Sequence, residues 1–430
     1  MKALTKKKRV CIALPGINYV HHSPYILSTI PVVPYLEEDF DVTVVYRKTL
    51  ETTGLDYNYQ TIVDQEHQSE KEKRTTHPYF APNDYVRLWR YKQVLDQFVR
   101  SHVGEFDLVM EKEWPLLGLL SEAFSHHKIP TVLLAEAVYK FSAKSGRFSP
   151  KNPVKKIAKQ ALRPGFDQFR SHLRRKWSQR ATGIIAETEQ LKSFLIENGY
   201  ATAKTPIYPI PYGINEHIFK PRDRSWCRQQ LGIPEEAYVL TYVGSLNRFI
   251  QEPGPLIEAL GREKPKDVVL HIVGDGALQH QLEELARQFE APVIFHGRLP
   301  QEKAVLYIGA ANLCSAPYDK SVYPDEKFTC ASLKIPEYMA CGRPVLTTTC
   351  ERMEDLLDGE RYGFLVDNQV DSYREFFRHL PSREKLLAIE QKILKDLDNS
   401  TLKEKRIVLT WRDIADLHKQ VIEKSLALKY

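Results

Sequence analysis

The chain has 430 residues, more than one ordinary domain holds, with 43% hydrophobic and 27% charged residues, the balance of a globular protein. No apolar run approaches the roughly 20 residues needed to span a bilayer. The net charge of +6 is unevenly placed: residues 151–180 hold ten Lys or Arg against one acid, Asp167, so the remainder sums to −3. The basic character belongs to one segment and not to the protein.

Short β-branched runs alternate with helical patterns along the whole chain. In the first half the predicted strands are Val10–Leu14, Val42–Tyr46, Leu108–Glu111, Thr131–Ala135, Gly183–Ala186 and Ile207–Ile210. In the second half they are Val239–Val243, Val268–Val273, Val293–His296, Leu313–Ala316, Val345–Thr348 and Phe364–Val366. Apolar strands separated by helices imply parallel sheets covered on both faces. The pattern restarts after Pro209-Ile210-Pro211-Tyr212-Gly213, a Pro/Gly hinge. This divides the chain into 1–213 and 214–408, with a last helix at about 409–430.

The start, Lys6-Lys7-Lys8-Arg9 followed by Val10–Leu14, has an apolar part too short for a signal peptide and reads as a first strand. Thr49–Phe80 is polar and charged and reads as a long loop with little to bury. The six cysteines show no C-x-x-C spacing, which points to a reducing compartment. In the basic segment, Val154, Ile157, Ala158, Ala161 and Leu162 form one helical stripe, with Lys155, Lys156, Lys159 and Arg163 around it. Such a helix fits an anionic membrane surface as well as it fits a core-facing helix. After Pro164-Gly165, Phe166, Phe169, Leu173 and Trp177 form a second stripe that reads as core-facing. No nucleic-acid module accompanies the charge, so no nucleic-acid partner is expected.

The most informative stretch is Ser332-Leu333-Lys334-Ile335-Pro336-Glu337-Tyr338-Met339-Ala340-Cys341-Gly342-Arg343-Pro344-Val345. Ser332 suits a helix cap and Pro336 a first turn. Gly342 suits the residue that ends a helix, and Pro344 prevents continuation. A helix start with free N–H groups is a place for phosphate, and Glu337 could accept hydrogen bonds from sugar hydroxyls. Asp396-Leu397-Asp398, the only Asp-x-Asp, reads as a solvated helix face and not as a metal site.

This stretch resembles the C-terminal signature of retaining glycosyltransferases of family 4. Ile210–Pro221 is similar to that family's linker, and Leu409–Ala415 to its final helix. The resemblance is strong from about residue 183 onward. It implies the GT-B fold: two Rossmann-like, doubly wound parallel-sheet domains facing across a cleft. It implies a nucleotide-diphosphate sugar as donor substrate, no cofactor, and transfer to a saccharide or lipid-linked acceptor. Residues 1–213 would bind the acceptor and 214–408 the donor.

Carried over residue by residue, the resemblance makes Glu337 the ribose ligand and Lys334 and Arg248 the cations on the diphosphate. Gly16, Gly244, Ser245, Gly274, Ser332 and Leu333 would also line the donor, and Arg298 and Leu299 its base. The family has an Arg and a Lys-Gly soon after the first glycine; here Ser245 follows Gly244, Arg248 lies three further on, and Pro253-Gly254 replaces Lys-Gly. The first Glu of its Glu-x7-Glu motif is replaced by Thr329, and Asp325 and Glu326 are the nearest carboxylates. Glu136 falls near the place of a family His that touches the sugar, and with Glu113 it is a candidate for orienting the acceptor hydroxyl. His21 and His22 follow the first strand and read as helix-start or packing residues. The departures leave two rivals open: an inactive GT-B protein that binds a nucleotide sugar or a partner, and a membrane- or nucleic-acid-binding protein using 151–180. The scattered cysteines point to the cytoplasm, and the basic segment to a lipid or lipid-linked acceptor at the cytoplasmic membrane face.

Overall fold

The computed structural model describes residues 6–19, 24–50, 52–63, 85–136, 168–247 and 250–428. The candidates His21, His22, Lys155, Lys156, Lys159, Arg163 and Arg248 lie outside the described residues. Contacts divide the chain into two units. One runs to Pro211 and resumes at Trp411, and the other contains Tyr212–Thr410.

The first unit carries β1 (Lys8–Tyr19), β2 (Phe40–Thr49), β3 (Tyr59–Thr61), β4 (Leu108–Lys112), β5 (Thr131–Ala135), β6 (Gly183–Ala186) and β7 (Ile207–Pro209). They form one sheet in the order β3-β2-β1-β4-β5-β6-β7. Every pairing in it is parallel. β4, β5 and β6 are buried at every residue, because helices cover both faces of such a sheet. β1 is longer than the apolar run implied. Its register with β2 shifts between Leu14 and Asn18, across Pro15-Gly16-Ile17.

β3 corrects the reading of Thr49–Phe80 as loop alone. Tyr59–Thr61 pairs with Val44–Tyr46 as an edge strand. Asn58 Nδ2 donates to Thr43 Oγ1 at 2.8 Å, and the hydroxyls of Tyr46 and Tyr57 meet at 2.6 Å. The helix at 168–178 corrects part of a second expectation: Leu173 and Trp177 of the stripe are half-buried, Phe166 lies outside the described residues, and Phe169 departs. Phe169 is 55% exposed, whereas Arg170 and Ser178 are buried. The face is set by Arg174, which turns inward to bond Glu113 Oε1 at 2.8 Å.

The second unit carries β8 (Tyr238–Val243), β9 (Val268–Val273), β10 (Val293–Phe295), β11 (Leu313–Ala316), β12 (Val345–Thr348) and β13 (Gly363–Val366). Their order is β10-β9-β8-β11-β12-β13, and all pairings are parallel. This is the doubly wound order in which chain direction across the sheet reverses between the first and fourth strands, here β8 and β11. Ligands of such sheets sit outside the carboxyl ends of the strands at that switch point. Val239, Leu240, Leu313, Cys314, Val345 and Leu346 are fully buried beneath it, each aliphatic side chain stabilising by about 1.5–3 kcal/mol.

Asp396 is not on a solvated face. It is buried and accepts from Arg361 Nη2 at 2.7 Å and Tyr362 Oη at 2.8 Å. Ile214 N–H donates to Leu409 O at 2.8 Å, so the entry to this unit runs beside its exit. The helix Trp411–Ala427 then belongs to the first unit, where Arg412 forks onto both oxygens of Glu38 at 3.1 and 2.9 Å. Among the described residues no helix is long and apolar enough to cross a membrane.

Candidate functional site

The switch point of the second sheet is lined with glycine. Gly244 N–H, just past β8, donates to Val273 O at 2.9 Å, and Gly274 N–H, just past β9, donates to Gly297 O at 2.8 Å. A Cβ on Gly274 would lie 1.8 Å from the Gly244 carbonyl oxygen, so only glycine lets these strand ends approach. The loops beyond are tied together. Leu246 N–H donates to Asp275 O at 2.8 Å, and Ala277 N–H to Asn247 Oδ1 at 3.1 Å. Loop 297–299 therefore stands beside Gly274, with Arg298 exposed and Leu299 half-buried.

Helix Lys334–Ala340 packs against these ends. Its Tyr338 is buried, and the hydroxyl accepts from Val243 N–H at 2.9 Å and donates to Val243 O at 3.2 Å. That bond fixes the helix at the end of β8. Ser332 Oγ accepts from Ile335 N–H at 3.2 Å and meets the Tyr318 hydroxyl at 2.7 Å. Ser332 thus ties the first turn from one residue before the N-cap, which is Leu333 and has no side-chain cap bond. Its side chain and the Ile335 amide are committed within the protein, however, and are not free for phosphate.

Lys334 is 8% exposed. Its ammonium lies 5.6 Å from the Tyr242 ring and 6.0 Å from the Tyr318 ring, within cation–π range. A Cβ on Gly244 would meet Lys334 Cε at 2.2 Å and Nζ at 2.7 Å. The missing side chain of Gly244 is therefore the space the ammonium occupies. Burial lowers the Lys334 pKa to about 8, against an opposing pull from Glu337. Glu337, one turn on, is half-buried, and its carboxylate makes no hydrogen bond to a described residue. Burial pushes its pKa up, while Lys334 pulls it down.

Gln251 is the residue that sequence reasoning missed. With its amide oriented to satisfy its neighbours, its oxygen accepts from Lys334 Nζ at 3.0 Å and its nitrogen donates to Ser245 O at 3.0 Å. The same carbonyl accepts from Tyr242 Oη at 2.7 Å. No motif marks Gln251. The isolated bridge it forms with Tyr318 brings it to the site.

The other candidates have surroundings of their own. Asp325 and Glu326 are exposed, in consecutive positive-φ conformations at 51° and 55°, and the structure gives neither a bond to Lys334 or Glu337. Thr329 is buried. In the first unit, Gly16 lies against Trp114, whose Cβ would be 2.7 Å from an added Cβ. Glu136, after β5, pairs with Lys112 at 2.5 Å. Glu113 is pushed up to about 7 by burial, with Arg174 opposing and Glu136 assisting.

Residues 237–380 match the family model of glycosyl transferases group 1. This group 1 region contains Gly244, Gly274, Lys334 and Glu337 together. The chain is 26% identical over 230 residues to the D-inositol 3-phosphate glycosyltransferase of Nocardioides sp., covering 48% of this chain and 48% of that protein. It thus spans about half the length of that curated relative. Among solved structures it is similar to the sucrose-phosphate synthase of Thermosynechococcus elongatus, with TM-score 0.68, 16% identity, and coverage of 98% of this chain and 100% of that one. It is equally similar to Anabaena HepE, solved in complex with UDP and glucose, with TM-score 0.67, 17% identity, and coverage of 98% and 100%. The two all-parallel α/β units are those of the GT-B fold.

Proposed function

We propose that the chain is a glycosyltransferase that moves a sugar from a nucleoside-diphosphate sugar to an acceptor hydroxyl, with retention and without a metal. The observation that carries this reading is the buried ammonium of Lys334 one turn from the half-buried Glu337, which makes no hydrogen bond to a described residue, at the switch point of a doubly wound sheet. A diphosphate leaving group needs positive charge, and a fixed ammonium in a low-dielectric site stabilises it more than water does. Glu337 would accept from the ribose hydroxyls, and Gly244 and Gly274 would let the backbone approach the phosphates. Arg298 and Leu299 would flank the base, and Arg248 would add a second cation. The HepE complex with UDP and glucose supports UDP-sugars as the first donors to try.

The first unit would hold the acceptor, saccharide or lipid-linked, with Glu136 orienting its hydroxyl. The basic segment 151–180 supports work at the cytoplasmic face of an anionic membrane. The test is a thermal-shift screen of nucleotide sugars, because a ligand that binds only the folded state raises its stability. A donor should raise the melting temperature of the wild type and leave Glu337→Ala unmoved. If no nucleotide sugar shifts the wild type, the reading is wrong. Product anomer analysis by NMR and turnover in EDTA then check retention and metal independence.

Thr329 favours a second reading, in which the donor is bound but not transferred. Asp325 and Glu326, the nearest carboxylates in sequence, are exposed, and under this reading neither would replace the carboxylate that the family motif carries at this place. Donor hydrolysis or transfer by the purified protein decides against it.

A further inference from the structure

Lys334 is anchored by a residue outside its own helix and outside every motif. We propose that Gln251 is a positioning residue, which holds the Lys334 ammonium in the space above Gly244 and fastens it to the turn after β8. The inference rests on the reading of Lys334 as the donor cation.

Three features support it. First, the Gln251 amide is satisfied on both sides, by Lys334 Nζ and by Ser245 O, each at 3.0 Å. One side chain therefore links the helix cation to the glycine turn. Second, Gln251 is itself fixed. It bridges antiparallel to Tyr318, and the flanking backbone is held by Asp319 N–H donating to Ile250 O at 2.7 Å. Third, the remaining surroundings of the ammonium do not fix its direction. Tyr242 and Tyr318 offer ring faces at 5.6 and 6.0 Å, which attract a cation broadly, and no ion pair joins Lys334 to Glu337. A lysine ammonium is a point charge on a flexible stem, so a directional acceptor decides where it rests.

The titratable groups facing Lys334 are Glu337 on its helix, Cys330 before it, Tyr242 on β8 and Tyr318 after β11. Gln251 is neutral. It stabilises the ammonium by a charge-assisted hydrogen bond, which weakens when the amine loses its proton and donates only as a neutral group. Hydrogen bonds to charged groups contribute about 1.5–3 kcal/mol, and one pKa unit corresponds to 1.36 kcal/mol. Removing the amide should therefore lower the proton affinity of Lys334 about tenfold or more.

The experiment is competitive acetylation of the full chain across pH 6–11, read at Lys334 by mass spectrometry, for wild type, Gln251→Leu and Gln251→Glu. In parallel, UDP affinity is measured by calorimetry for these proteins and for Lys334→Ala. The Lys334 midpoint should fall by about one pH unit in Gln251→Leu and rise by about one in Gln251→Glu. UDP affinity at pH 7 should drop about tenfold in Gln251→Leu. Gln251→Glu supplies the test should Gln251→Leu fail to fold. Midpoints that coincide in all folded variants, while Lys334→Ala weakens UDP, overturn the inference and leave the donor reading standing. Shifted midpoints with UDP affinity untouched by Lys334→Ala overturn the donor reading, and the role of Gln251 falls with it.

Discussion

Gly244→Ala separates the chemistry of the site from its stability. The added Cβ would stand 2.2 Å from Lys334 Cε and 2.7 Å from its Nζ. Both atoms are the far end of a flexible side chain, so the clash is relieved by moving the lysine and not the sheet. The backbone cost is that of a non-glycine residue at φ +156°, about 1–3 kcal/mol. The functional cost is larger, because the ammonium must leave the only space that puts it against Gln251, Tyr242 and Tyr318. Losing a charge-assisted contact of about 1.5–3 kcal/mol implies a fall in diphosphate affinity of roughly 10- to 150-fold. The assay is calorimetric binding of UDP, with urea denaturation of the same samples. Gly359→Ala is the control. Its φ is +71° with open space around it, so it should carry the strain without the binding loss. A double-mutant cycle sharpens the test. Once Lys334→Ala has removed the ammonium, Gly244→Ala should cost little further affinity. Full additivity of the two losses would refute the idea that Gly244 is glycine for the sake of Lys334.

Three further outcomes follow from the same geometry. With Lys334 lowered to about 8, its ammonium is present below that pH and lost above it, so UDP affinity should fall as pH rises from 7 to 9. In Lys334→Met the affinity at pH 7 should already be as weak as that of the wild type at pH 9, and a wild-type profile that is flat over that range would contradict the assignment. Gly274→Ala should destabilise by about 3–5 kcal/mol in urea denaturation, because its Cβ would meet the Gly244 carbonyl, which is backbone and cannot swing aside. A loss under 1 kcal/mol would show that the strand ends part easily. Glu111 is fully buried and accepts from Trp114 Nε1 at 2.7 Å, Gly118 N at 3.0 Å, and Ser121 N and Oγ at 2.8 Å each. Glu111→Ala would strand these donors and should cost at least about 3 kcal/mol by the same measurement.

The sequence was readable where one segment carries its own evidence. All twelve apolar runs are strands, and the inner ones read clearly because a parallel strand buried on both faces is written as a continuous apolar run, whereas β7 and β10 are half-buried sheet edges. Lys334, Glu337 and Tyr338 could be placed on one short helix because Ser332, the first-turn proline and the terminal glycine bound it locally. What escaped is what the rest of the chain imposes. Tyr59–Thr61 is a strand only because Val44–Tyr46 offers a partner, and its own residues would equally suit a loop. The helix at 168–178 has the period its stripe announces. The ion pair with Glu113 turns Arg174 inward and leaves Phe169 outside, since a buried carboxylate without its partner costs more than one exposed ring. Gln251 belongs to this second kind. Its neighbours in sequence say nothing of Lys334, and only the pairing of its loop with Tyr318 brings the two together. The same separation explains the motif departures. Ser245 follows Gly244 directly, and its backbone carbonyl accepts from Gln251 and Tyr242. The turn contributes an acceptor that fixes the positioning residue, and the positive charge comes from the helix across from it. In the folded chain, the Lys334 ammonium lies over Gly244 at this turn, where under the proposed reading it would act with Arg248.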